Sequence, residues 1–123
     1  MADIRGPVLI VEDNAEARDL LERVLLIRGF DVVPADDAVD ALAYLERGGR
    51  AAAVVLDLAM PYMDGITFRG ILSDDERWAA IPVVVYTGLT SLDVPSVAGV
   101  FRKGTDDPQR LIDLLERISQ TAP

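Results

Sequence analysis

The sequence predicts an α/β fold: a five-stranded parallel sheet wrapped on both faces by helices. Three observations lead there. Short apolar runs recur at Pro7–Val11, Ala51–Leu56 and Pro82–Tyr86, with weaker strand candidates at Phe30–Ala35 and Val100–Lys103. Runs of this kind, without polar alternation, read as strands buried on both faces. The segments between them carry apolar residues at helical spacing, and strict alternation of strand and helix requires right-handed crossovers that cover both sides of a parallel sheet.

Taken in order, Pro7-Val8-Leu9-Ile10-Val11 forms the first strand and closes on Glu12-Asp13. Asn14 is suited to cap a helix whose inward positions are Ala17, Leu20, Leu21, Val24 and Leu25, with Gly29 as its stop. The second strand, Phe30 to Ala35, runs into Asp36-Asp37, which offers a cap to a helix burying Ala38, Ala41, Leu42 and Leu45. Gly48-Gly49 turns the chain into the third strand, Ala51 to Leu56, which stops at Asp57. Asp64-Gly65 opens a helix through Leu72, Ser73–Glu76 reads as a solvated acidic turn, and Trp78 covers the edge of the core.

Pro82 suits the first position of the fourth strand, which ends at Thr87-Gly88. So little chain separates Thr87 from Lys103 that the helix between them must be short, with Ser91 to Val97 its best candidate, where Pro95 must lie in the first turn or break it. Val100 to Lys103 is the fifth strand. Asp107-Pro108 then starts a final helix with Leu111, Leu114, Leu115 and Ile118 on one face, and Ser119 to Pro123 is read as a plain terminus or the stump of a linker.

Composition narrows the chemistry. With 123 residues the expectation is one domain spanning 1–123, with a core over about 7–119. Twelve basic against 21 acidic residues give a net charge of −9, which repels nucleic acid and anionic lipid, so neither is an expected direct partner. The apolar runs are far shorter than the ~18 residues of a membrane span. The opening Met1–Gly6 has no signal-peptide pattern, and a soluble cytoplasmic protein is expected. There is no Cys and no His. That removes thiol nucleophiles, the Ser-His-Asp triad and imidazole or thiolate metal sites; any metal must be held by oxygen ligands, as Mg²⁺, Mn²⁺ and Ca²⁺ are.

A parallel sheet aligns the carboxyl ends of its strands, and the crevice at that edge is where ligands collect. Four strands end there in polar groups: Glu12-Asp13, Asp57, Thr87 and Lys103. Each alone is an unremarkable strand end, but together they are chemically complementary. Clustered carboxylates repel unless a counter-charge is present. A hard divalent cation between Asp13 and Asp57, with Glu12 bound directly or through water, relieves the repulsion. Lys103 can pair with Asp57 or with an anion attached to it, and the Thr87 hydroxyl can bond a phosphoryl oxygen. This set suits in-line phosphoryl transfer to Asp57.

At these residues the chain resembles the receiver domain of bacterial two-component response regulators. The resemblance rests on Glu12-Asp13, on the run from Asp57 through Met60-Pro61 to Met63-Asp64-Gly65, on Thr87-Gly88 and on Lys103, and it covers essentially the whole chain. It implies a flavodoxin-like, CheY-like (βα)₅ three-layer sandwich with sheet order 2-1-3-4-5. It also implies Asp57 as phosphoacceptor, assisted by Thr87 and Lys103, and Mg²⁺ or Mn²⁺ held by Asp13, Asp57 and the Ala59 backbone carbonyl, with Glu12 acting through water. The phosphoryl group would come from the phosphohistidine of a sensor histidine kinase or histidine phosphotransfer protein, with output to a downstream protein target and no enzymatic activity beyond self-phosphorylation and dephosphorylation.

Three departures stand beside this resemblance. Val100 occupies a position where the family usually has an aromatic, Gly104 one where it usually has Pro, and the fourth helix is short, so an altered output surface is expected. The alternative is a phosphorylation-independent pseudo-receiver acting as an interaction module. A haloacid dehalogenase-type phosphatase is disfavoured because Ala59 stands where its second Asp belongs, and a flavin carrier because Glu12-Asp13 would repel the phosphate.

Overall fold

The computed structural model describes residues 6–60, 62–88 and 97–121. Five strands, β1 (Val8–Val11), β2 (Val32–Ala35), β3 (Ala53–Leu56), β4 (Val83–Thr87) and β5 (Gly99–Arg102), form one parallel sheet in the expected order β2-β1-β3-β4-β5. The helices described are α1 (Ala15–Ile27), α2 (Ala38–Glu46), α3 (Gly65–Asp74) and α4 (Pro108–Thr121). The short helix expected over 91–97 lies, apart from Val97, outside the described residues. From β1 the chain moves one way to β2 and then crosses to β3 on the other side, so the order reverses at β1 and a crevice opens beyond the strands' carboxyl ends.

Alternation along the strands sorts the core into two layers. Leu9, Val11, Val54, Leu56, Val83 and Val85 face α2 and α3, where they meet Ala41, Leu45, Phe68, Leu72 and Trp78. Val8, Ile10, Ala53, Val55 and Val84 face α1 and α4, against Leu25, Leu111, Ile112 and Leu115. Each helix that follows an acid-rich turn begins on a side-chain cap. Asn14 accepts from the Ala17 N–H (2.9 Å), Asp37 from Asp40 (2.8 Å) and Asp64 from Thr67 (2.7 Å).

β2 is an outer strand and carries Pro34 at its third position. Val8 N–H donates to the Asp31 carbonyl and Glu12 N–H to that of Ala35, so the odd-numbered residues of this segment face β1 and Pro34 faces away. A missing N–H is tolerated on that side.

Several element boundaries and orientations differ from the sequence reading. β1, β2 and β3 begin one or two residues later than their apolar runs. β5 is Gly99–Arg102, with Lys103 just beyond it. α3 continues through Asp74, and Asp75 is a structured corner whose carboxylate receives the Arg77 guanidinium (2.7 and 3.0 Å), rather than a merely solvated turn. α4 extends to Thr121, so Ser119–Thr121 belongs to the helix rather than to a plain terminus or a linker stump. Leu20 is 61% exposed: it shares the apolar spacing of α1 but lies on the helix's outer flank, and Leu25 supplies the fully buried contact. Trp78 is buried at the core's edge as expected, with the Arg77 guanidinium 4.3 Å from its ring centre.

Candidate functional site

The strand ladder itself delivers the polar residues to one edge. Glu12 N–H still donates to the Ala35 carbonyl (3.2 Å), Asp57 N–H to Val11 (3.1 Å) and Lys103 N–H to Thr87 (2.9 Å). Each is thus fixed by main-chain pairing at the point where its strand ends, and neighbouring strands hold them side by side. Asp57 is 7% exposed, Glu12 5% and Thr87 fully buried, whereas Asp13 is open to solvent.

Both Asp57 oxygens have donors. The Thr87 hydroxyl donates to Oδ1 (2.8 Å), the Ala59 N–H approaches the same oxygen (3.3 Å), and Lys103 Nζ approaches Oδ2 (3.4 Å). Lys103 makes its closer ion pair with Glu12 Oε1, while the other Glu12 oxygen accepts from the Asn14 N–H (3.2 Å). Arg18 donates to the Glu12 carbonyl (2.9 Å) and lies 3.6 Å from Asp36. Lys103 therefore ties β5 to β1 and β3 at once. Every expected side chain, Glu12, Asp13, Asp57, Thr87 and Lys103, lies at this edge.

The electrostatics follow from burial. Removal from water, reinforced by the nearby Asp57 charge, raises the Glu12 carboxyl above its ordinary range, although the Lys103 and Asn14 hydrogen bonds pull the other way. Burial alone would lower Lys103. Its hydrogen bond to Glu12 and the charges of Asp57 and Glu12 outweigh that, and hold the ammonium above its ordinary value.

Glu12, Asp13 and Asp57 each offer one carboxylate oxygen, and the three oxygens lie within 4.8 Å of one another. Oxygen-only donors at this separation fit a hard divalent ion such as Mg²⁺. One Lys cannot by itself neutralise three carboxylates, so the donor set carries a surplus negative charge that such an ion would offset.

Sequence reasoning missed three features. The sequence pairs Lys103 with Asp57, yet its nearer partner is Glu12, reached from the end of β5 across β4 and β3 to the end of β1. Arg18, in the first turn of α1, braces the Glu12 main chain; its spacing from Glu12 is the available signal. Gly65 sits so close to the end of β3 that a Cβ would lie 2.8 Å from the Asp57 carbonyl. Val100 is exposed, and Phe101 packs into the layer facing α1 and α4, so neighbouring β5 side chains do point to opposite sides.

Among the described residues, no helix is long and apolar enough to cross a membrane. Residues 8–108 match the family model described as the response regulator receiver domain. The chain is 35% identical over 115 residues to the transcriptional regulatory protein PrrA of Mycobacterium tuberculosis, covering 90% of this chain and 47% of that protein. It spans under half the length of the curated relatives it matches first. The crystal structure of a response regulator receiver protein from Pseudomonas putida superposes with a TM-score of 0.81 at 32% identity, covering 92% of this chain and 97% of that one. The chemotaxis protein CheY4 of Vibrio cholerae gives 0.80 at 26% identity, covering 92% and 98%. These neighbours share the flavodoxin-like sheet order. On the family match over residues 8–108, which includes every polar residue gathered at the sheet's carboxyl edge, the chain belongs to the response regulator receiver domain family.

Proposed function

We propose that this chain is a phosphoacceptor: Asp57 takes a phosphoryl group from the phosphohistidine of a sensor histidine kinase or histidine phosphotransfer protein, and the modified domain signals to a protein partner. The observation that carries the reading is the contact set at one edge, with Thr87 and Lys103 on the two oxygens of a nearly buried Asp57 and Glu12-Asp13 beside it.

An Asp57 carboxylate oxygen attacks phosphorus in line as the P–N bond to the donor imidazole breaks; the imidazole leaves with the bonding electron pair and takes up a proton. The Thr87 hydroxyl and the Ala59 N–H, both already on Oδ1, are placed to bond phosphoryl oxygens, and the Lys103 ammonium neutralises their charge. Mg²⁺, or Mn²⁺, held by Asp13, Asp57, the Ala59 carbonyl and Glu12, would supply further charge neutralisation. The chain works on no substrate other than its own aspartate, acts as a single receiver unit in the cytoplasm, and meets neither nucleic acid nor membrane directly.

The test is incubation with Mg²⁺ and acetyl phosphate, read by intact mass. Wild type gains one phosphoryl group, and Asp57→Asn and Mg²⁺-depleted samples gain none. A wild type that stays unmodified, or an Asp57→Asn variant that gains the same mass, would refute the proposal.

A further inference from the structure

Tyr62 is the one non-glycine residue among those described whose backbone has positive φ, +69°, and its side chain is 89% exposed. A bulky L-residue is disfavoured in that region, where Gly or Asn fits. Burial does not offset the strain, because the ring covers nothing. Its neighbours do pack: Met60 and Met63 lie against the layer that faces α2 and α3, which fixes the loop on either side. The base of the loop is closed by the Gly65 N–H donating to the Leu58 carbonyl (3.0 Å), and Gly65 lies so near the Asp57 main chain that a Cβ on it would be 2.8 Å from the Asp57 carbonyl oxygen. The tyrosine is therefore held out at the rim of the phosphoacceptor crevice by a loop anchored at Asp57 itself. Ile66, in the first turn of α3, is 55% exposed and extends the apolar surface.

Backbone strain kept beside a reactive residue, without packing to account for it, points to use by something outside the chain. Asp57 is 7% exposed and the chain has no His, so a donor protein must bring its phosphohistidine down to a recessed carboxylate and in doing so cover the rim. We infer that Tyr62, supported by Ile66, is the docking anchor for the phosphoryl-donor protein, a specificity-determining residue that acts on protein-to-protein transfer and not on the chemistry at Asp57. An exposed aromatic whose backbone is already fixed loses little freedom on binding, which is why such residues concentrate interface energy. This inference rests on the phosphoacceptor reading.

The test compares wild type, Tyr62→Asn and Tyr62→Phe with two kinds of donor. Asn tolerates left-handed φ, so Tyr62→Asn should melt at or above the wild-type temperature. With acetyl phosphate and Mg²⁺ all three should react at rates within about twofold of one another. A panel of purified, radiolabelled histidine phosphotransfer proteins and autophosphorylated kinase domains is then screened against wild type, and the fastest donor is carried forward. Transfer should fall roughly tenfold or more in Tyr62→Asn, the loss of a hot-spot side chain, and recover in Tyr62→Phe. Unimpaired transfer to Tyr62→Asn, an equal loss with acetyl phosphate, or a lowered melting temperature would each overturn the inference. If no donor protein phosphorylates wild type while acetyl phosphate does, docking falls and the acceptor reading stands; if neither donor does, the acceptor reading itself has failed.

Discussion

Gly65→Ala should damage this protein even though alanine is the better helix former. A Cβ at Gly65 would lie 2.7 Å from both Leu58 Cα and Leu58 Cδ2, and 2.8 Å from the Asp57 carbonyl oxygen. Two of those three atoms are main chain and cannot rotate aside, so α3 must lift or the end of β3 must move. Overpacking of this kind costs about 1–3 kcal/mol. Gly70, in the same helix, is the internal control: a Cβ there meets nothing within 4 Å, and Gly70→Ala should stabilise by about 0.5–1 kcal/mol. With 123 residues, an unfolding entropy of roughly 2.1 cal/mol/K per residue gives about 4 °C of Tm per kcal/mol. Calorimetry should therefore show a fall of about 4–12 °C for Gly65→Ala and a rise of about 2–4 °C for Gly70→Ala. Because the obstructed atoms belong to Asp57 and Leu58, the acetyl phosphate reaction should slow in Gly65→Ala and not in Gly70→Ala. Were Gly65→Ala to melt at or above the wild type with an unchanged reaction rate, the close approach of α3 to the end of β3 would be refuted.

Other consequences are equally open to measurement. Phe68→Ala removes a fully buried ring from the layer facing α2 and α3, and should lower stability by about 3–5 kcal/mol in urea unfolding. Asn14→Ala loses the cap on α1 and should cost about 1 kcal/mol, read as a Tm about 4 °C lower; the Asn14 N–H on Glu12 is main chain and stays. The Lys103 ammonium is held above its ordinary value of 10.5 by Glu12 and Asp57. Its pairing thus stabilises fully below that pH and is lost as pH rises through the folded value. The stability advantage of wild type over Lys103→Met should accordingly shrink in alkaline titration, and a constant difference would contradict the pairing. Mg²⁺ at about 100 times its dissociation constant should stabilise by about 2.7 kcal/mol, an effect abolished by chelator and weakened in Asp13→Asn.

The site was legible in the sequence because a parallel sheet gathers its strand ends whatever their distance along the chain. Glu12, Asp57, Thr87 and Lys103 needed only the order of apolar runs to be brought together. What stayed hidden depends on contacts within a few ångströms. The apolar spacing of α1 makes Leu20 and Leu25 equivalent, but in the fold Leu20 is 61% exposed while Leu25 is buried. Residue type alone could not tell that Lys103 would reach Glu12 ahead of Asp57, since both acids end strands at the same edge. The end of α4 was underestimated because Ser119–Thr121 carries no apolar signal. Tyr62 gave no sign of its backbone conformation, because nothing in a tyrosine favours positive φ.

The outward-facing Pro34 interrupts the free border of β2. An open sheet border invites another molecule to add its own strand, which is the route to fibrils and exchanged dimers. Along β2 that zipper stalls at the proline, which offers no proton to a newcomer. On this side of the molecule, recognition is thereby steered from backbone templating to side-chain surfaces, where a regulator can choose its company.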